Sequence, residues 1–276
     1  MLRLSLIRLA STPYATTTLL SKSAILSKQL KLRVSNTVDP LLGVLVNSPS
    51  TDQIEQLASS NFDYMWVDCE HSTLSPQESK MLFMASELHS KPTLTRLGSR
   101  CPATINKFLD SGTNAILFPM VNTKADAEFC VAATKFPPLG SRGMSNSRWN
   151  GFGQKPDTTR EFANFHTLVG IQVETMQSVE NLEEIISVPN IDFVFFGPMD
   201  LAVDMGLPHT DEKVKELILR CGELIRNKNR AIVLGTLVLN NQEAEFYEEE
   251  GFRLNVCLAN KFMNDGAGLF LASCGR

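Results

Sequence analysis

The chain has 276 residues, is 43% hydrophobic and 20% charged, and carries a formal charge of −4. That is an ordinary globular balance, and its acidity argues against a nucleic-acid-binding surface. No apolar run approaches the roughly 18 residues of a membrane span. The six cysteines show no CxxC or metal-finger spacing, so they read as reduced thiols.

Charge is unevenly placed. Residues 1 to 38 hold Arg3, Arg8, Lys22, Lys28, Lys31 and Arg33 and no acid, among many Ser, Thr and Leu. Basic, Ser-rich and acid-free is the pattern of a mitochondrial transit peptide. Residues 1–38 are therefore expected to be a targeting leader outside the fold, with a cytoplasmic protein as the alternative.

From Asp39 onward strands and helices alternate. Leu41–Val46 reads as a strand, Thr51–Ser59 as a helix and Tyr64–Val67 as a strand. Ser75-Pro76-Gln77-Glu78 is a capping box with Pro at the first helical position, starting a helix that runs to about His89. Pro92–Leu97 is a strand, and Pro102–Ser111 a helix closed by Gly112. Ala115–Met120 and Lys124–Lys135 repeat the pair. Residues 136–160 are rich in Gly, Pro and Arg and lack periodicity; a loop of that length is usually functional or mobile. Alternation resumes with strand Val169–Val173, helix Ser178–Ile186, strand Phe193–Phe196 and helix Asp211–Asn229. Strand Ala231–Val238, helix Gln242–Glu250, strand Arg253–Leu258 and a short closing helix over residues 264–272 complete the chain.

About eight β–α units point to a (β/α)8 TIM barrel over residues 39–276. An open doubly wound sheet is the runner-up, but its GxGxxG turn after the first strand is missing. In such a barrel the chemistry sits where strands end. Asp68, Glu70 and His71 end the second strand, Arg96 the third and Glu174 the fifth, while Asp200 follows the sixth. Each alone has a plain structural explanation: a cap, a core histidine, a buried ion pair. Together they would converge on one mouth. Glu174 and Asp200 form an oxygen-only pair suited to Mg²⁺ or Mn²⁺ rather than zinc. Asp200 also begins a helix, so the Met199 and Asp200 N–H groups are candidates for holding a substrate carboxylate.

The stretches "FDYMWVDCEH", "PTLTRLGS", "FLDSGTNAILFPMVNTKADAE", "FPPLGSRG", "VGIQVET" and "IDFVFFGPMDLAVDMG" resemble the HpcH/HpaI aldolases, the metal-dependent class II pyruvate aldolases. The resemblance covers roughly residues 40 to 260. It implies a divalent metal (Mg²⁺, Mn²⁺ or Co²⁺) on Glu174 and Asp200 and a 2-keto acid chelating it. It implies Arg96 beside the keto oxygen, His71 as acid–base group at the 4-hydroxyl and Asp110 as the acid paired with that histidine. Asp68 and Glu70 would stand around metal-bound water, and Gln172 near the keto acid. The implied partners are a 2-keto acid and an aldehyde, in a homo-oligomer, commonly a hexamer with an exchanged last helix. The turn after the eighth strand, "CLANKFMNDG", and the short last helix depart from the family pattern. Two other functions compete with the aldolase. One is an acyl-CoA lyase like the citrate-lyase β barrels, which generally lack the pair seen at Glu70-His71. The other is a non-catalytic oligomeric barrel.

Overall fold

The protein is described by a computed structural model covering residues 19–36, 39–155 and 157–276. Eight strands form one sheet: β1 (Leu41–Val46), β2 (Tyr64–Asp68), β3 (Thr93–Arg96), β4 (Ala115–Phe118), β5 (Leu168–Val173), β6 (Phe193–Phe196), β7 (Val233–Thr236) and β8 (Leu254–Leu258). The strand order is β7-β6-β5-β4-β3-β2-β1-β8, and neighbouring strands in that order pair in parallel. The β7–β8 seam is drawn together by Arg253 N donating to Leu234 O and Val238 N to Val256 O, both at 2.8 Å. The sheet thus curls into the expected barrel. Its strands are apolar runs rather than alternating ones because both faces are covered.

The interior is filled by Tyr64, Trp66, Leu94, Leu117, Phe193, Phe195 and Val256. Gly43 makes room for this layer, since a Cβ there would lie 2.3 Å from the Tyr64 ring. The outer faces of the strands pack on a ring of helices. These are α2 (Thr51–Ala58), α3 (Pro76–Leu88), α4 (Pro102–Ser111) and α5 (Lys124–Thr134), preceded in the chain by α1 (Lys22–Ser35). They continue with α6 (Arg160–His166), α7 (Met176–Glu180), α8 (Leu182–Ile186), α9 (Pro198–Asp204), α10 (Glu212–Lys228), α11 (Asn241–Glu249) and α12 (Ala259–Ser273). The capping box at Ser75 and Glu78 forms as its sequence pattern requires, and Gly112 closes α4 in the left-handed region.

Four expectations need correction. The first concerns the leader. Residues 22–35 are not outside the fold, because α1 packs Leu30 and Val34 into the interior cluster. Asn114, at the lower end of the barrel, donates to Ser23 O (2.8 Å) and Ser27 Oγ (3.0 Å). Residues 1–18 and 37–38 lie outside the described residues. The second is α6, a helix that starts at the last residue of the segment read as loop and fills residues given no element, capped by Thr159, whose Oγ1 accepts from Phe162 N at 3.1 Å. The third is the single helix expected over Ser178–Ile186. It is two short helices divided at Asn181, whose side chain donates to Asn122 O (2.8 Å). The fourth is the closing helix, which is 15 residues long rather than short. The part missing from the expectation is its start, residues 259–263, which follow β8 directly with no side-chain cap to mark a helix.

Candidate active site

β2 and β3 pair in register so that Asp68 lies beside Arg96. The guanidinium grips the carboxylate with two hydrogen bonds, Nε to Oδ1 and Nη2 to Oδ2, each 2.8 Å. Both residues are buried. This fork-to-fork geometry is the strongest an ion pair offers. Arg96 Nε is also 3.3 Å from Glu70 Oε2, and its guanidinium lies 5.8 Å from the Trp66 ring centre. Glu70 N donates to Asp68 Oδ1 at 3.1 Å, which turns the chain directly after the strand. The turn leaves His71 exposed at the mouth, its Nε2 3.7 Å from Glu70 Oε2.

The opposite wall is built around Glu174, only 2% exposed at the end of β5. Its Oε1 accepts the Met120 N–H at 2.7 Å, and its Oε2 accepts from Gln172 Nε2. Burial pushes the carboxyl up to about 7. The Met120 N–H opposes that rise, while the charges of Glu70 and Asp200 reinforce it. Glu70 is likewise raised by burial, against the pull of Arg96 and His71 and with a push from Asp68 and Asp200. The site therefore holds more carboxylate than its one guanidinium neutralises. Gln172 is buried, and its Oε1 has no partner.

Asp200 stands in the first turn of α9, behind the N-cap Gly197 and Pro198. Met199 precedes it, partly exposed. First-turn N–H groups have no intrahelical acceptor, so those of Met199 and Asp200 are available to a ligand. Gly197 is a packing requirement of the site. A Cβ there would lie 2.8 Å from Gln172 Nε2 and 3.1 Å from Glu174 Oε2.

The fold thus gathers Asp68, Glu70, His71, Arg96, Gln172, Glu174, Met199 and Asp200 at the C-terminal end of the barrel. Asp110 is the exception. It sits in the last turn of α4, which runs from the mouth back to the opposite end. There its carboxylate takes Arg142 Nη2 at 3.0 Å and Ser145 Oγ at 2.7 Å. Within one chain His71 is paired with Glu70, and the expected Asp110–His71 pair is not formed. Sequence reading missed Met120 and Gly197. Gly197 carries a signal, a glycine between a strand and a Pro-led helix. Met120 carries none, because its contribution is a main-chain N–H.

A family profile described as HpcH/HpaI aldolase/citrate lyase matches residues 41–257. A 4-hydroxy-2-oxo-heptane-1,7-dioate aldolase of Escherichia coli is 32% identical over 223 residues, which is 77% of this chain and 81% of that protein. The enzyme of the same name from Klebsiella pneumoniae is 32% identical over 219 residues, 77% and 80% of the two chains. The crystal structure of a HpcH/HpaI aldolase/citrate lyase family protein from Burkholderia cenocepacia superposes with a TM-score of 0.84 at 27% identity. It covers 90% of this chain and 100% of that one.

Proposed function

The chain belongs to the HpcH/HpaI aldolase/citrate lyase family, and from that premise we propose that it is a divalent-metal-dependent aldolase. It would cleave a 4-hydroxy-2-keto acid into pyruvate, or a similar 2-keto acid, and an aldehyde. The observation that carries this reading is the composition of the mouth: Glu174 and Asp200 as oxygen donors, faced by Arg96 and by the exposed His71 beside Glu70. The Glu70–His71 pair favours an aldolase over an acyl-CoA lyase.

The donor set fits a hard cation. Glu174 is held up to about 7 by burial and by two neighbouring carboxylates, a cost that a divalent ion relieves. Among the described residues there is no group of three or more His, Cys, Asp and Glu able to enclose a metal. The two carboxylates would therefore leave positions for substrate oxygens. Bound there, Mg²⁺, Mn²⁺ or Co²⁺ would supply Lewis-acid stabilisation of charge on a keto oxygen.

The protein's own groups account for the rest. In retro-aldol cleavage the 4-hydroxyl loses its proton, the C3–C4 bond breaks, and the electron pair moves onto the keto acid as an enolate. His71 would take the proton, with Glu70 beside the ring at 3.7 Å. Arg96, fixed by Asp68, would present positive charge to the developing enolate oxygen. The first-turn N–H groups of Met199 and Asp200 would hold the keto-acid carboxylate, with Gln172 beside it. Protonation of C3 then releases the 2-keto acid.

Chelator treatment should abolish pyruvate release from 4-hydroxy-2-oxo-heptane-1,7-dioate, and Mg²⁺, Mn²⁺ or Co²⁺ should restore it, read by a coupled pyruvate assay. Mn²⁺ binding to the stripped protein should weaken as pH falls through about 7, where Glu174 takes up a proton, and level off above it. Full activity after exhaustive chelation, or a borohydride-trapped Schiff base, would sink the metal reading.

We further propose that the protein is a homo-oligomer, a hexamer by its resemblance. Beyond Ala259, α12 leaves Phe262, Met263, Leu269, Phe270 and Leu271 exposed, more apolar surface than a single helix on a monomer normally shows. Light scattering should give a multiple of 30.6 kDa, and Leu269→Glu with Phe270→Glu should reduce it. A monomeric wild type would refute the assembly. Mitochondrial import, proposed from Arg3, Arg8 and the lack of acids, is tested by fusing residues 1–20 to a fluorescent reporter. A diffuse cytosolic signal would refute it.

A further inference from the structure

Met120 has a backbone φ of +55°. A non-glycine residue in that region is strained and persists only where its surroundings hold it. Its side chain is 44% exposed, so packing of the thioether does not hold it. The reward lies in the main chain, because this conformation delivers the N–H to Glu174 Oε1 at 2.7 Å.

Two residues on, Asn122 fastens the loop after β4 to the loop after β5. Its Oδ1 accepts the Thr175 hydroxyl at 2.6 Å, and Thr175 is the residue following Glu174. Its main-chain O accepts Asn181 Nδ2 at 2.8 Å, and its N–H donates to Asp126 Oδ2 at 3.1 Å. Asp126 is anchored in turn by an ion pair with Arg100 from the loop after β3.

We propose that Asn122 is a positioning residue for the divalent-cation site: by tying the Met120 loop to Thr175 it keeps the Met120 N–H on Glu174 and so fixes that carboxylate's direction. This rests on the metal-dependent reading above. Outer partners of metal-binding carboxylates commonly set affinity by about 10–100-fold.

The test is Mn²⁺ binding to metal-stripped protein, read by electron paramagnetic resonance at a pH above 8, with thermal unfolding in parallel. Asn122→Ala should raise the Mn²⁺ Kd by about 10-fold. Met120→Val should raise it in the same direction, since a β-branched side chain resists positive φ. Met120→Gly should leave Kd near wild type and, combined with Asn122→Ala, recover most of the loss, because glycine takes positive φ without steric cost. That recovery separates positioning from a general loss of stability. Should Asn122→Ala fail to fold, the Val and Gly variants at 120 still decide, and equal Kd values for those two overturn the proposal. An unchanged Kd in a folded Asn122→Ala overturns it as well, with the metal reading intact. A wild-type protein that binds no Mn²⁺ overturns both.

Discussion

Arg96→Lys should lower kcat for cleavage by about 10²–10³-fold, the scale of a lost oxyanion-stabilising donor, while the protein stays folded. Among the described residues, Arg96 is the guanidinium that faces Asp68, Glu70 and Glu174. Its fork gives each Asp68 oxygen a donor at 2.8 Å and leaves the rest of its charge facing Glu70 and the mouth. A lysine keeps the charge, so Asp68, 2% exposed, is not stranded as an unpaired buried anion. An ammonium, however, cannot hold both oxygens in one plane and still face a keto oxygen. Arg96→Met is the wrong experiment. Stripping one partner from a buried pair costs about 3–5 kcal/mol and would confuse instability with catalysis. Pyruvate release by Arg96→Lys within a few-fold of wild type would remove Arg96 from the chemistry and leave it a purely structural partner of Asp68.

The contrast between Arg96 and Asp110 shows what a sequence of this kind makes legible. A parallel barrel places every strand end on one face, so a polar residue just past an apolar run is located once the run is recognised. That rule alone points to Asp68, Arg96, Glu174 and Asp200. Asp110 came only from resemblance. It is helical and near the far end of α4, and no strand-end rule places it at the mouth. Met120 and Asn122 were invisible for another reason. Their roles are a main-chain N–H and a loop-to-loop hydrogen bond, and neither residue type signals such a role. The helix break at Asn181 belongs to the same class, since Asn181 serves the Asn122 carbonyl rather than the helix. The start of α12 is illegible for a different reason: residues 259–263 follow β8 directly, and no side-chain cap marks the first turn.

The leader is where composition misled. Deleting residues 1–36 should abolish folding or reduce it to an aggregating remnant, whereas deleting residues 1–18 should leave stability and activity near those of the full chain. The same lack of acids and richness in Ser and Leu runs from residue 1 to residue 38, so composition draws no boundary. Among the described residues, Ser21 is the first that is buried. This residue caps α1 by accepting Ala24 N at 3.0 Å, takes a bond from its own N–H to Thr158 Oγ1 at 3.1 Å, and gives its hydroxyl to Trp149 O. Beyond it Leu26, Leu30 and Val34 are 0, 1 and 4% exposed. Burying three such side chains is worth about 1.5–3 kcal/mol each, an upper bound because unfolded chains are partly compact. Their sum rivals the whole net stability of a domain, about 5–15 kcal/mol. Removal also strips Asn114 of Ser23 O and Ser27 Oγ, and takes the Ser23 hydroxyl from Glu87 and Arg148. Asn114 and Glu87 are buried, so each of their losses adds a desolvation cost. Leu30→Ala in the full chain isolates the packing part, expected at about 2–5 kcal/mol by urea unfolding. A 1–36 deletion that melts at the wild-type temperature would show that α1 is dispensable and that the barrel closes its own lower end.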